Sequence, residues 1–342
     1  MIIEGGGATV PATLGNISFA DSNTSGSAGI AVTGMLTTSA TGKVKLDVPT
    51  GLLWATGSTY NLISFGSFTG AISHFEAGNI VGLGARQTPT PVLNGSNIAL
   101  MINGDTPVWT GVASGAWSTA AVGSPFNWKL QVGGGGTEFL LNDQAVFDDN
   151  ATGTTNVVIN DATVAPASVT FNNSAKEYTV SGTGGISAGL LVKNGAASVQ
   201  VNTSNTYTGG TAVNAGTLTL AGNNNFGTGT LTVNGGTAKL SGANTYTGAT
   251  TVNAGALHVN NAGALGASVL TLNGGTLDNS SGAAVTLATA TAQRWNGDFT
   301  FAGTNNLNFN NGPVTLGGTL GQRAVNVAGG TLSTGLITGG EG

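Results

Sequence analysis

Hydrolysis of a glycosidic bond needs two carboxyl groups about 5 to 9.5 Å apart, one to protonate the leaving oxygen and one to attack or to activate water. The sequence supplies carboxylates sparingly, 14 Asp and Glu in 342 residues. Six crowd one region without ordered spacing: Asp105, Glu138, Asp143, Asp148, Asp149 and Asp161. Between Gly182 and Ser281 Asp278 stands alone. The two histidines, His74 and His258, are too distant in sequence to form a motif, and His258 alternates with Leu257 and Val259 as an outward strand residue would. Arg86, Arg294 and Arg323 form no spaced set, and no nucleophile-elbow, zinc-protease or phosphate-loop pattern occurs. The expectation is a protein that is not an enzyme, with no catalytic, cofactor-binding or metal residues and no cofactor. A polysaccharide-degrading enzyme is the least favoured alternative, with its site confined to 105–161.

Two other chemistries have candidates in that region. Asp148 and Asp149, followed by Asn150, could begin a calcium site, but calcium takes about six to eight convergent oxygens. The glycine-aspartate nonapeptide of calcium β-rolls does not occur: Gly135 to Glu138 lacks its spacing. A solvated acidic loop is the favoured reading. Trp109, Trp117 and Trp128 lie within twenty positions of one another, beside Phe126. Exposed indoles make platforms for sugar rings, so these three are the candidate glycan contacts; buried, they anchor a loop or coil against the core. The buried reading is favoured, because each sits in a turn-like setting of Gly, Thr or Asn.

What positions these groups is a repeat. Asn205–Leu218 (NTYTGGTAVNAGTL) returns 39 residues later as Asn244–Leu257 (NTYTGATTVNAGAL). Looser copies are Leu231–Leu240 (LTVNGGTAKL) and Leu270–Leu277 (LTLNGGTL), so the unit is about twenty residues. One apolar column runs Val213, Val233, Val252, Leu272 and a second Leu218, Ala238, Leu257, Leu277. A third runs Ile186, Tyr207, Phe226, Tyr246, Leu265, with a Gly close behind each member from Tyr207 onward: Gly209, Gly227, Gly248, Gly266. Short alternating runs have the period of a strand with one buried face, and the Asn, Gly and Ala-Gly pairs between them suit tight corners. Strand, corner, strand, corner, closing after about twenty residues, predicts one coil of a parallel β-helix, with coils stacked about 4.8 Å apart. Asn214, Asn234, Asn253 and Asn273 should then stack into a hydrogen-bonded amide ladder. Tyr207, Phe226 and Tyr246 should stack as a second ladder, inward or outward, the Tyr hydroxyls favouring partial exposure.

The NTYTGGTxVNAGTL pattern resembles the passenger-associated strand repeat of bacterial autotransporter passengers and related very large surface proteins. The resemblance is specific over Gly189 to Asn279 and looser on both sides. It implies a right-handed β-helix exported to the cell surface, hence an extracellular or surface location.

Composition fits. Gly accounts for 58 residues, hydrophobic residues for 40% and charged residues for only 7%, with no collagen-like period. The net charge of −5 leaves no footprint for nucleic acid or anionic lipid. No cysteine is present, which excludes disulfides, thiol nucleophiles and thiolate metal sites. No apolar run reaches membrane-spanning length, so no membrane insertion by this segment is expected.

The fold class expected is all-β, a parallel β-helix solenoid with an irregular N-terminal β portion. Residues 1–104 are expected to form irregular β coils or a cap, with loops at Asp21–Gly26 and Thr37–Gly42. Ala77–Asn94 reads as a long excursion, and 88–91, with Pro89 and Pro91, is not expected in a central strand. Residues 105–165 read as a Trp/Asp-rich insertion or transition, and 166–342 as the repeat β-helix, most regular over 189–279. Neither end carries a charged cap beyond Glu4 and Glu341, so the chain is expected to be part of something longer or to associate with itself end to end. The function expected is a structural or adhesive surface segment or fibre; the alternative is a carbohydrate-binding module meeting surface glycans.

Overall fold

The computed structural model describes residues 2–3, 16–18, 30–38, 43–48, 54, 56–121, 123–160, 163–224, 227–317 and 322–339. Among these the chain is β throughout, apart from one three-residue helical turn, Ile72–His74. It divides into two units, Met1–Thr106 and Pro107–Gly342. The loop at 21–26 lies outside the described residues, as do 39–42, Glu4, Asp161, Phe226 and Glu341.

In the second unit two long parallel sheets face each other across a narrow core. The front sheet has 13 strands and the back sheet nine. Within the repeat, Thr211–Val213, Leu231–Val233, Thr250–Val252 and Leu270–Leu272 lie in succession in the front sheet. Thr217–Leu220, Thr237–Leu240, Ala256–Val259 and Thr276–Asp278 do so in the back sheet. The chain crosses front, corner, back and corner once per coil, which is the solenoid that the twenty-residue period predicts. The register follows the columns. Val213 pairs with Val233, Val233 with Val252 and Val252 with Leu272; Leu218, Ala238, Leu257 and Leu277 pair in the same order. All eight are buried, while the residues between them are partly exposed, so strand alternation separates core from surface. Short strands on a third side, such as Val285–Thr286, Leu307–Asn308 and Leu332–Ser333, form small parallel sheets.

The corners explain the glycines. Gly216, Gly255 and Gly275, each two residues after a ladder Asn, have φ of 61°, 75° and 78°, a left-handed conformation that costs glycine nothing. Gly248 is required for space instead: a Cβ there would lie 2.1 Å from the Gly229 carbonyl oxygen of the neighbouring coil.

The first unit is built on longer, less regular coils. Ile30–Thr38 and Thr59–Thr69 pair in parallel, as do Val44–Val48 and Phe75–Ile80. Leu36, Leu46, Trp54, Ile63, Ile98 and Leu100 lie in its own core. The expected excursion at Ala77–Asn94 is instead ordered strand: Phe75–Ile80 and Gln87–Leu93 occupy most of it. Pro89 and Pro91 fit there because Gln87–Leu93 is the outermost strand of its sheet, where missing N–H groups leave no partner unpaired.

Candidate functional site

The Trp group closes one end of the solenoid core. Pro107–Trp109, Trp128–Leu130 and Gly136–Thr137 pair antiparallel, at the end of a sheet that is otherwise parallel. They deliver Trp109 and Trp128 inward, and the connection between them delivers Trp117, with relative exposures of 0%, 3% and 0%. The indole of Trp109 packs edge-on to Trp128 at 5.0 Å, and Trp117 packs against Trp128 and Phe139 at 5.7 and 5.4 Å. Phe147 continues the cluster, stacked at 4.8 Å on Phe171 of the next coil. Trp109 donates its Nε1–H to the Thr154 carbonyl. With their faces covered by other rings, none of the three offers a sugar platform; they plug the core.

Of the described acidic residues in this region only Asp143 is buried; Asp105, Glu138, Asp148 and Asp149 are partly exposed. Asp143 is fully buried and accepts the Leu140 N–H at 2.8 Å. Glu138 accepts the Gly123 N–H, and Asp105 that of Thr106. Asp148 accepts both N–H groups of Asn150, backbone and side chain. Asp149 accepts the backbone N–H groups of Ser174, Ala175 and Lys176 from the next coil, and those hydrogen bonds hold its carboxyl below the usual carboxylate range. No group of three metal-binding side chains occurs among the described residues.

The regular coils carry two amide ladders. On the exposed corner, Asn214 donates to Asn194, Asn234 to Asn214, Asn253 to Asn234, Asn273 to Asn253 and Asn296 to Asn273, at 2.7 to 3.0 Å. The four predicted residues are thus the centre of a six-residue ladder. A second ladder, which the repeat did not reveal, is buried: Asn205 donates to Asn224 at 2.8 Å and Asn224 to Asn244 at 3.2 Å, and Asn244 ends on the Ala264 carbonyl. The two ladders run in opposite directions along the solenoid axis.

The aromatic column is inside, not partly exposed. Ile186, Tyr207, Tyr246 and Leu265 are all buried; Phe226 lies outside the described residues. The hydroxyls that argued for exposure are satisfied internally, Tyr207 with Thr211 and Tyr246 with Thr250, each at 2.7 Å. Both pairs use the Thr four residues on, at the end of the TYTG corner. Burial pushes the Tyr246 pKa up to about 12 and the Tyr207 pKa higher still.

Sequence reasoning also missed the chain's most deeply buried cation. Lys193 is 0% exposed, and its register partners, Phe171 and Val213, place it in the inward front column. Its Nζ donates to the carbonyls of Asn194 and Gly195, and burial pulls its pKa down to about 8. On the outward side of the back sheet, Lys239, His258 and Asp278 occupy successive coils. The Nδ1 of His258 lies 2.8 Å from the Ser280 hydroxyl and 3.5 Å from Asp278. Ser and Asp therefore share one ring nitrogen, so the three do not form a relay. In the first unit, a groove of about 360 Å³ is lined by Val32, Thr33, Phe65, Gly66 and Asn97, with no titratable group among them.

The passenger-associated-transport-repeat family model matches the chain three times, over residues 191–220, 215–237 and 236–259. These coils carry the buried ladder and the middle of the columns and of the outer ladder, and they match the repeat of autotransporter passengers. No curated protein and no solved structure matches the chain. No helix among the described residues is long and apolar enough to cross a membrane.

Proposed function

We propose that these passenger repeats form part of a structural or adhesive segment of a secreted, autotransporter-like surface protein, a β-helical stalk or fibre displayed outside the cell. The observation that carries this reading is the coincidence of the passenger repeats with the most regular coils. There the outward surface is mostly Thr and Asn, and stability is spread over identical neighbour contacts. Such a surface tolerates solvent without an active site, and we take the protein to be non-catalytic. Antibody and protease accessibility of an epitope in the Asn214–Asn273 face, on intact cells, tests the display. An epitope protected until the cells are lysed would overturn it. Retention on an array of neutral and acidic glycans would favour the alternative, a carbohydrate-binding module, and would have to be assigned to residues other than the three buried indoles.

The same reading includes association along the axis. Ile337–Gly339 is the outermost strand of the front sheet and Val325–Val327 of the back sheet, and Val327, Leu336 and Ile337 are exposed there. An open parallel edge templates further pairing, by a second copy or by continuing chain. Light scattering over a range of concentrations should show growth that Thr338→Pro reduces, because proline removes a ladder donor. A monomer at every concentration argues against self-pairing.

A further inference from the structure

Two buried defects meet at one corner of the solenoid. Lys193 brings an amine into the apolar front column, where only the Asn194 and Gly195 carbonyls receive it. Asn173, on the coil before, is also 0% exposed. Its Nδ2 donates to the carbonyls of Lys176 and Ser198 at 2.6 and 3.1 Å. Carbonyls only accept, so the amide cannot be flipped. Its Oδ1 is left as one of two buried side-chain polar atoms without a hydrogen bond among the described residues. The two residues share the corner. Phe171 and Asn172 pair with Lys193 and Asn194, and a Cβ on Gly195 would lie 2.2 Å from the Asn173 carbonyl oxygen. The Lys193 amine is bonded to that same Gly195. An unpaired buried carbonyl and a buried ammonium each cost stability.

We propose that Lys193 and Asn173 are joined by an intramolecular isopeptide bond, a covalent staple between adjacent coils of a chain without cysteine. The neutral Nζ attacks Cγ of Asn173, the new C–N bond forms, and the bond from Cγ to Nδ2 breaks. One proton passes from Nζ to the departing nitrogen, which leaves as ammonia. The product is a neutral secondary amide, so no oxidant or cofactor enters the balance. The step first requires Nζ to leave the Asn194 and Gly195 carbonyls that now receive it. It removes the buried amine and ties the two coils with one covalent bond.

Intact-mass measurement of the denatured, full-length protein is the test. The expected mass is one ammonia below that of the sequence, with tandem spectra joining the peptides that contain Asn173 and Lys193 and no tryptic cleavage after Lys193. Succinimide formation at an Asn-Gly pair such as Asn234-Gly235 loses ammonia too, so a control is built in. A succinimide takes up water in mild base and persists in Lys193→Met, whereas the staple resists base and vanishes in that variant. The full sequence mass in folded wild type, or a deficit unaffected by Lys193→Met, overturns the proposal. The wild-type spectra decide even if the variant fails to fold.

Discussion

Asn234 donates its carboxamide N–H to Oδ1 of Asn214 at 2.8 Å, across one coil and on an exposed corner. An exposed amide can bond water instead, so such a bond contributes only about 1 kcal/mol net. Its value lies in repetition: each interior Asn both gives and receives, and the chain of bonds fixes the coil register at the corner where glycine gives the backbone most freedom.

Asn234→Ala removes two ladder bonds and should cost about 1 to 2 kcal/mol. Asn296→Ala, at the end of the ladder, removes one and should cost about half as much. Urea unfolding followed by circular dichroism checks the order. An end residue costing as much as an interior one would mean that the ladder contributes nothing as a chain.

Val233 pairs with Val213 below and Val252 above and is completely buried. A carboxylate in that column has no partner, so Val233→Asp should destabilise by about 4 kcal/mol or more. Thr232, its neighbour, points outward and is partly exposed; Thr232→Asp should stay within about 1 kcal/mol of the parent. Comparable losses at both positions would contradict the alternation on which the coil rests.

The coil period, the register and the outer ladder were legible because each depends on residues that recur in the same column. What escaped notice breaks the pattern. Asn224 sits in a run of three asparagines, Asn223 to Asn225, so spacing alone could not tell which of them enters the buried ladder. The polar character of Lys193 hid its place in an apolar column, since a long aliphatic stem can carry an amine to a corner carbonyl. Tyr207 and Tyr246 looked amphipathic until Thr211 and Thr250 supplied internal partners. The partners of Asp149 were hidden for a related reason, because the N–H groups of Ser174, Ala175 and Lys176 reach it from the corner of the next coil.

The His258 ring is half-buried, and burial lowers its pKa; Asp278 opposes that shift and Lys239 adds to it. Ser280 also faces the ring, while Asp278 itself is held by the N–H and hydroxyl of Thr304. The neutral imidazole is therefore the folded form, and the unfolded chain takes up a proton first as pH falls below about 6.5. Stability that is present above that pH should decline with acidification, and His258→Gln should remove this part of the slope. An imidazole titration by NMR with its midpoint above that of free histidine would show that Asp278 dominates instead.

At the alkaline end the buried tyrosines set the limit. Tyr207 and Tyr246 keep their protons in the folded state well beyond the ordinary value of 10, chiefly because burial disfavours the phenolate. An unfolded chain ionises at that ordinary value, so it binds fewer protons than the native state above it, and stability must fall as pH rises. The contribution is complete below about pH 10 and is lost upward from there toward the folded values. Ultraviolet titration should show these two phenols ionising only as the coils unfold, in step with the loss of circular dichroism. Tyr207→Phe and Tyr246→Phe should each cost about 1 kcal/mol at neutral pH, through the hydroxyl bond to Thr211 or Thr250. Each should also make the alkaline decline shallower. Phenols that titrate reversibly near pH 10 with the solenoid intact would place the aromatic column at the surface.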